Sequence, residues 1–310
     1  MNFNSEKYSK KNIQWILKSD GNMDISLPVF QDGKMKVEVG GLYTEVDSSN
    51  GKPKFNILRK GTTSSYNKRE KTSCQNINFK FNENKTELAA STDNSIKWTF
   101  KSPINSDTHW YISDYICSSD KVFVSAKTSI YHPKRYGGSQ VLISIYAIDT
   151  SSGNVNWVYD GGNFEDVKQF IVYKENLFIN LKNKYLSLDA QTGKVNWINE
   201  AEISSMQLYD DVLYTIDSGF LVAISSNNGD KLWSSFLNYT SDSVPVTVYK
   251  DNIFVSKGDE VSLLNKMTGT EIWSLDVNSK PLENRVTQPV LIINEMMHVQ
   301  IDGFLMAVKL

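Results

Sequence analysis

One short motif recurs along the chain at a nearly constant interval, and it limits the folds that the chain can adopt. Each copy has an apolar run, then Asp, Ser or Asn, then Gly four residues later and Trp four residues after the Gly. Four copies align without gaps, namely AIDTSSGNVNW, LDAQTGKVNW, AISSNNGDKLW and LLNKMTGTEIW. Their anchor residues are Gly153, Gly193, Gly229 and Gly269, which lie 40, 36 and 40 residues apart, and Trp157, Trp197, Trp233 and Trp273. A period near 40 residues predicts a repeat fold.

Weaker copies extend the array toward the N-terminus. TEVDSSNGKPKF keeps Gly51 and has Phe55 in the place of Trp. AASTDNSIKW ends in Trp98 and has Asn94 where the Gly is expected, and Asn is the other residue that tolerates left-handed backbone. Trp15, in NIQWILK, has no preceding turn, whereas FLMAVKL at the C-terminus resembles the strand before such a turn. Joining the two ends therefore gives a seventh copy.

The segments between the Trp anchors predict β-structure. Short apolar or alternating runs such as QFIVY, NLFINL and YLSLDA are separated by turn residues, and no window has a helical apolar stripe. A period near 40 with four strands per unit is typical of a propeller blade. We predict an all-β, seven-bladed β-propeller of four-stranded antiparallel blades, its ring closed by an N-terminal strand that completes the C-terminal blade. The predicted parts are a tail (1–11), the closing strand (12–18) and blades at 19–58, 59–101, 102–160, 161–200, 201–236, 237–277 and 278–310.

The residue types of the motif indicate a structural role. Gly supplies positive φ in the tight turn before the fourth strand. Asp47, Asp149 and Asp189 can accept backbone N–H groups in that turn. Trp is large enough to wedge between adjacent blades. We therefore expect the repeated aromatic residues to hold blades together rather than to form a ligand cage.

The element D-x-x-T-G-x-x-x-W, clearest in LDAQTGKVNW, resembles the blade repeat of the pyrroloquinoline-quinone-like (PQQ-like) propeller superfamily. The resemblance is strongest from 142 to 273 and weaker before 100. Members include quinoprotein dehydrogenases and the bacterial outer-membrane assembly lipoprotein. The resemblance implies the fold and says little about function.

Several features depart from those members. A quinoprotein dehydrogenase implies an eight-bladed, longer, secreted chain with adjacent cysteines and a calcium site of Glu, Asn and Asp, whereas Cys74 and Cys117 lie 43 residues apart here. The assembly lipoprotein implies a signal peptide with a lipid-bearing Cys. We predict no cofactor, no PQQ-dependent dehydrogenase activity and two unpaired thiols in preference to one bridge. With no signal peptide, transmembrane run or lipidation motif visible, the sequence predicts a cytoplasmic protein.

Other chemistry is sparse. The chain has no phosphate-binding loop, zinc-protease motif or nucleophile elbow, and His109, His132 and His298 are isolated in sequence. The net charge of −2 gives no general basic field for nucleic acid. We predict no catalytic and no metal-binding residues.

Two stretches exceed the repeat and form the candidate binding face. RKGTTSSYNKREK (59–71) follows the first blade and has a net charge of +4, and SIYHPKRYGGS (129–139) interrupts the third blade and has +2, so the rest of the chain has −8. The turn after strand two and the crossover after strand four leave a four-stranded meander at the same end. The candidate residues are Arg59, Lys60, Tyr66, Lys68, Arg69, Tyr131, His132, Lys134, Arg135 and Tyr136.

This pattern predicts a non-catalytic binding scaffold whose partner is a protein, one with an acidic surface being the natural match to this face. The alternative is a small-molecule-binding or enzymatic propeller with its site in the central funnel, which three or more converging carboxylates or histidines would support. An immunity or antitoxin-type partner of a secreted system is a third possibility, by analogy.

Overall fold

A computed structural model gives the fold of most of the chain. It describes residues 13–18, 26, 28–31, 34–39, 42–54, 77–93, 95–101, 109–118, 120–131, 139–163, 167–204, 206–237, 246–257, 260–276, 289–301 and 304–310. All regular structure in these ranges is β-strand, so the predicted all-β class is confirmed.

The described strands are short and follow one another closely. The first twelve are β1 (Ile13–Lys18), β2 (Val29–Gln31), β3 (Lys34–Val39), β4 (Leu42–Val46), β5 (Pro53–Lys54), β6 (Asn78–Phe81), β7 (Glu87–Thr92), β8 (Ser95–Lys101), β9 (His109–Cys117), β10 (Lys121–Tyr131), β11 (Ser139–Asp149) and β12 (Val155–Asn163). The others are β13 (Val167–Tyr173), β14 (Asn176–Leu181), β15 (Tyr185–Asp189), β16 (Val195–Asn199), β17 (Met206–Tyr209), β18 (Val212–Asp217), β19 (Phe220–Ser225), β20 (Lys231–Phe236), β21 (Val246–Tyr249), β22 (Asn252–Lys257), β23 (Glu260–Asn265), β24 (Glu271–Asp276), β25 (Leu291–Ile293), β26 (Met296–Ile301) and β27 (Phe304–Lys309).

The strands form seven separate sheets, which matches the number of motif copies. Five are meanders of four consecutive strands: β2–β5, β9–β12, β13–β16, β17–β20 and β21–β24. A sixth has the order β1-β27-β26-β25, and the seventh has three described strands, β6–β8. Since Trp98 lies on β8, as the other motif Trp residues lie on fourth strands, β6–β8 correspond to strands two to four of a unit.

The N-terminal strand completes the C-terminal sheet. β1 pairs antiparallel with β27, with Trp15 opposite Ala307 and Lys18 opposite Phe304. In this position Trp15 lies on the outermost strand of its sheet, as Trp157 and Trp197 do in theirs.

Five outer strands share a β-bulge immediately before the Trp. In β12, for example, Trp157 pairs with Ala147 and Val155 with Ile148, so Asn156 is left without a cross-strand partner. The residues skipped in this way are Gln14, Lys97, Asn156, Asn196 and Ile272. A bulge at one fixed place in each repeat bends the outer strand and strengthens its twist.

By compactness the chain divides into two units, one of residues Met1–Ser65, Ser218–Ala223 and Leu232–Leu310, the other of residues Tyr66–Asp217 and Ile224–Lys231. In the second unit, β6–β8 and β9–β12 enclose one apolar cluster around Leu88 and Ile112, and β9–β12 and β13–β16 enclose another around Phe123 and Leu177. Burying each such side chain contributes roughly 1.5–3 kcal/mol.

The first unit is built in the same manner. One cluster between β21–β24 and the sheet of β25–β27 includes Val261 and Met297, and another includes Val37 of β3 with Leu305 and Ala307 of β27. Each of these four clusters of described residues is therefore formed by side chains from two sheets.

The structure corrects the expectation for the cysteines. Cys117, the last residue of β9, is disulfide-bonded, and the described part of the chain has no free cysteine. The prediction of two unpaired thiols is therefore wrong. Pairing depends on which strands fold together, and neither the number of cysteines nor their spacing reveals that.

Candidate interaction surface and the turns that support it

The repeat turns bring the Gly of one sheet against the Trp of the preceding sheet. Gly153, Gly193, Gly229 and Gly269 have φ between +68° and +77°. A Cβ added to Gly193 would lie 2.6 Å from Cδ2 of Trp157, and one added to Gly153 would lie 2.6 Å from Cγ of Trp98. Gly is required at these positions for two reasons, since the backbone is left-handed and the indole ring occupies the place of a side chain.

Each of these indole rings also forms a hydrogen bond to the turn that it covers. Nε1 of Trp157 donates to the carbonyl oxygen of Ala190 at 3.1 Å, and Nε1 of Trp197 donates to that of Ser226 at 2.9 Å. Trp98 bonds Thr150 and Trp233 bonds Lys266 in the same way. The motif Trp is therefore both an apolar wedge and a donor that fixes the next turn.

The first residue of the turn caps it with its side chain. Asp149 Oδ1 accepts the backbone N–H groups of Ser151 and Ser152 and both of their hydroxyl groups, at 2.6–3.0 Å. These bonds lower the pKa of Asp149 to about 2, and the bond from the Ser151 hydroxyl contributes most to the shift. The hydroxyl of Thr192 likewise lowers the pKa of Asp189.

A second repeated element lies at the same end of the sheets, in the hairpin between the first and second strands. It reads Tyr-Lys-Glu-Asn-Leu-Phe at 173–178 and Tyr-Lys-Asp-Asn-Ile-Phe at 249–254. Lys174 and Lys250 have positive φ, and Lys174 Nζ lies 2.6 Å from Asp211 Oδ1 in the corresponding turn of the following sheet. Sequence reasoning missed this element, although its near-identical copies were a visible signal.

The two kinds of turn are joined by backbone hydrogen bonds. The N–H of Ala190 donates to the carbonyl oxygen of Glu175, and that of Lys266 donates to that of Asp251, both at 2.8 Å. One end of each of these sheets is thus occupied by turns that hold one another in place. The connections between second and third strands leave from the opposite end, because successive strands are antiparallel.

The sheet β9–β12 is extended at that opposite end. β10 and β11 each have 11 residues, whereas β14 has six and β15 has five. The pairing continues to Tyr131 opposite Ser139, so both edges of the predicted insertion 129–139 are strand residues. The insertion is therefore a lengthened hairpin, whose tip at 132–138 lies outside the described residues.

Packing supports the base of this extension. Trp110 is buried, and its ring centroid lies 6.0 Å from that of Phe100. Lys127 is also buried, with Nζ 5.6 Å from the ring centroid of Tyr111 on the neighbouring strand. Loops on a rigid base of this kind are common sites of recognition.

Most predicted members of the binding face cannot be placed. Tyr131 is the last residue of β10. The residues that lie outside the described ranges are Arg59, Lys60, Tyr66, Lys68, Arg69, His132, Lys134, Arg135 and Tyr136, together with Phe55 and Asn94 of the repeat. Of the histidines that can be placed, His109 is exposed at the start of β9 and His298 is buried in β26.

The sequence lacks the adjacent cysteines that the resemblance to the quinoprotein dehydrogenases implies. Cys117 has Ile116 and Ser118 as its chain neighbours, and its sulfur is in a disulfide. Within the described ranges, His, Cys, Asp and Glu form no group of three or more that could hold a metal ion. The same ranges contain no helix that is long and apolar enough to cross a membrane.

A buried lysine in β21–β24 has partly exposed carboxylates as its partners. Lys257 Nζ donates to the carbonyl oxygen of Leu237 at 3.3 Å and lies 3.2 Å from Glu260 Oε1 and 3.6 Å from Glu271 Oε2. The hydroxyl of Ser262 lies within 3.1 Å of both carboxylates. The ammonium group is thus paired on several sides, as a buried cation requires.

Comparison with known proteins agrees with this architecture. The family model described as outer membrane protein assembly factor BamB matches residues 144–245 and 217–308, more than half of the chain. A computationally designed protein, Ika8, is similar in structure with a TM-score of 0.57 and 11% identity, covering 96% of this chain and 100% of its own. A quinohemoprotein alcohol dehydrogenase from Pseudomonas putida has a TM-score of 0.50 and 10% identity, covering 96% of this chain and 76% of its own.

Curated relatives are similar over a smaller part. Uncharacterized protein RP232 of Rickettsia prowazekii is 24% identical over 136 residues, which are 37% of this chain and 33% of that protein. Uncharacterized protein RC0314 of Rickettsia conorii is 27% identical over 138 residues, again 33% of its length. The chain thus spans about one third of the curated relatives that it matches. On the match to more than half of its length, the chain belongs to the PQQ-like repeat β-propeller family represented by the assembly factor BamB.

Proposed function

We propose that this protein is a non-catalytic scaffold that binds a protein partner, and that its seven sheets are the blades of a seven-bladed propeller closed by β1. The proposal rests on the contacts that the repeat residues make. The described Gly residues of the turns at 149–153, 189–193, 225–229 and 265–269 lie against the indole of another sheet. The residues that recur therefore serve packing, and recognition falls to the connections that do not recur.

The bulge in β1 supports the proposed closure. Residue Gln14 is skipped before Trp15, as Asn196 is skipped before Trp197. β1 thus has the local geometry of a fourth strand, although it is the first strand of the chain. Pairing with β1 covers the outer edge of β27, which would otherwise be a free strand edge.

The name of the family model supports a role in protein contacts. It describes an assembly factor of the outer membrane, and assembly depends on binding other proteins. We infer the same general role here, with the partner bound through residues 59–71 and 129–139. We assign both stretches to the end of their sheets opposite the repeat turns, because the turn after a second strand and the crossover after a fourth strand leave an antiparallel meander at the same end, where β10 and β11 are extended.

The charge of these stretches indicates the chemistry of the partner. They carry a net +6 on a chain whose remainder carries −8. Electrostatic complementarity mainly raises the association rate and selects among partners. A protein with an acidic surface is the partner that this distribution favours.

The test compares two quadruple variants with the same change of charge. In the first, Lys68, Arg69, Lys134 and Arg135 are changed to Ser. In the control, four exposed lysines at or beside the repeat-turn end are changed to Ser, namely Lys52, Lys194, Lys231 and Lys309. Wild type and variants are used to capture proteins from an extract of the source cells, and a captured protein is then purified for binding kinetics.

We expect the first variant to associate about tenfold or more slowly at low salt and to show a weaker salt dependence. The control should bind like the wild type, and both should melt within a few degrees of it, because exposed charges contribute little to stability. Equal binding by all three proteins would contradict the assignment of this face. Turnover of a small molecule by the purified chain would contradict the non-catalytic role.

A further inference from the structure

The disulfide at Cys117 lies beside a core that two sheets share. Cys117 ends β9, and its side chain packs with Phe81, Trp98 and Tyr115 against the apolar cluster formed by β6–β8 and β9–β12. Its cross-strand partner is Val122, a buried residue of β10. The sulfur is therefore held by a packed strand end rather than by an exposed loop.

The sequence identifies the other half of the bridge. Within these 310 residues the only other cysteine is Cys74. Ile77, three residues later, is buried in the same cluster as the Cys117 side chain. Three residues of extended chain span at most about 10 Å, so the position of Ile77 limits how far Cys74 can lie from this cluster. A disulfide requires the two Cα atoms to approach within about 7 Å.

We infer that Cys74 and Cys117 form an intramolecular structural disulfide, and that the protein acquires it in an oxidising compartment. The bridge joins the segment that leads into β6 to the end of β9, so two sheets are linked covalently as well as by packing. Disulfides persist in oxidising compartments and are rare where glutathione and thioredoxin keep thiols reduced. This location differs from the cytoplasmic one that the sequence predicts, for which no signal peptide, transmembrane run or lipidation motif was visible.

The chemistry of formation is thiol–disulfide exchange with a protein disulfide of the thiol-oxidase class. One thiolate attacks a sulfur of the oxidant and forms a mixed disulfide, and the second thiolate then displaces the reduced oxidant. The two cysteines together lose two electrons and two protons. The oxidant gains the electrons as a dithiol.

The fold gives a reason for a bridge at this place. Among the described residues β6–β8 has three strands where the other sheets have four. A covalent link from the segment before β6 to β9 restricts the unfolded chain and thereby stabilises this part of the protein. The link also fixes the chain shortly after the basic stretch 59–71.

The first test measures the thiols of the native protein. Source cells are lysed in acid that traps thiols, and the denatured protein is treated with a 5 kDa maleimide-polyethylene glycol reagent. We expect no mass shift before reduction and two additions after it. Two additions without reduction would overturn the inference. A disulfide-linked dimer on a non-reducing gel would overturn its intramolecular form.

The second test uses variants and separates the bridge from packing. Cys74→Ser, Cys117→Ser and the double variant should lower the melting temperature of oxidised protein by the same several degrees, because each removes the same bridge. Dithiothreitol should lower the melting temperature of the wild type and leave the variants unchanged. Additive effects of the single changes, or a wild type insensitive to reduction, would contradict the bridge. If a variant does not fold, the thiol measurement on the native protein still decides.

Discussion

The sheets β13–β16 and β9–β12 are neighbours in sequence, and they differ most at one end. Their repeat turns are alike, since each has the capping Asp, the Gly with positive φ and the bulge before Trp. At the other end β9–β12 continues for several more pairs, with a second bulge between Ile143 and Ser144 and a left-handed Gly162 on β12. The comparison teaches that the repeat constrains one end of a sheet and leaves the other free to vary.

The physical reason is the direction of the contacts. The Trp ring and its Nε1 reach the turn of the next sheet, so any change there affects two sheets at once. Residues 132–138 connect β10 to β11 beyond the last described pair. Natural variation is therefore tolerated best where no second sheet depends on the geometry.

The largest effect is expected from Trp197→Ala. Trp197 is 8% exposed and packs within 6.0 Å of the rings of Phe178 and Tyr185. Removal of the ring leaves a cavity and an unpaired carbonyl at Ser226, so the free energy of unfolding should fall by about 3–5 kcal/mol. Ile198→Ala, at an exposed neighbour, is the control and should change it by less than about 0.5 kcal/mol. Urea unfolding measures both, and similar losses would show that Trp197 does not join two sheets.

The next effect is expected from Gly193→Val. A β-branched residue at a φ of +72° costs about 1–3 kcal/mol in backbone strain, and its side chain must also displace the Trp157 ring. Lys194→Val, at the next position in the turn, should cost far less. Urea unfolding again gives the comparison. Equal effects at the two positions would mean that the indole contact does not restrict this turn.

A smaller effect on stability is expected when a capping carboxylate is replaced. Because the pKa of Asp149 is lowered from 3.8 to about 2, the stability it contributes is fully present above pH 4 and is lost as the pH falls toward 2. Asp189 has the same direction of shift. Asp149→Asn should therefore flatten the stability profile between pH 4 and 2, and carboxyl titration by NMR should give the lower pKa directly. An ordinary pKa for Asp149 would show that the serine hydroxyls do not cap it.

The smallest effect on stability is expected at the extended end of β9–β12. Replacement of residues 132–138 by Asn-Gly should give a tight hairpin turn and change the melting temperature by a few degrees at most. The same change should reduce partner binding, since it removes Lys134 and Arg135. A loss of stability comparable to that of Trp197→Ala would show that this end is as constrained as the other.

Much of this architecture could be predicted from the sequence because the residues that form it are chemically distinctive. Gly and Trp at fixed spacing predicted the turns and the outer strands, and Trp15 predicted the pairing of β1. The bulge could not be predicted in this way. The skipped residues Gln14, Lys97 and Ile272 share no side-chain chemistry, because the bulge is a property of the backbone register.

Other features depended on contacts between distant segments. Whether Cys117 forms a disulfide depends on which segments fold together, and the spacing of the cysteines alone does not reveal that. The sequence predicts an insertion at 129–139. In the structure Ser129 and Ile130 belong to β10, so part of the predicted insertion is a longer strand. The candidate binding residues remain a prediction from charge and topology.

The repeated bulge also bears on how the protein behaves at high concentration. An outer strand forms an edge of its sheet, and exposed strand edges can join copies of a protein into fibres. After the bulge, β16 offers three regularly extended residues from Trp197, and β24 offers four from Trp273. Cross-β stacking requires segments of about six or seven residues. The skipped residue in these five outer strands therefore shortens the regular edge that each could offer to another copy, which opposes aggregation.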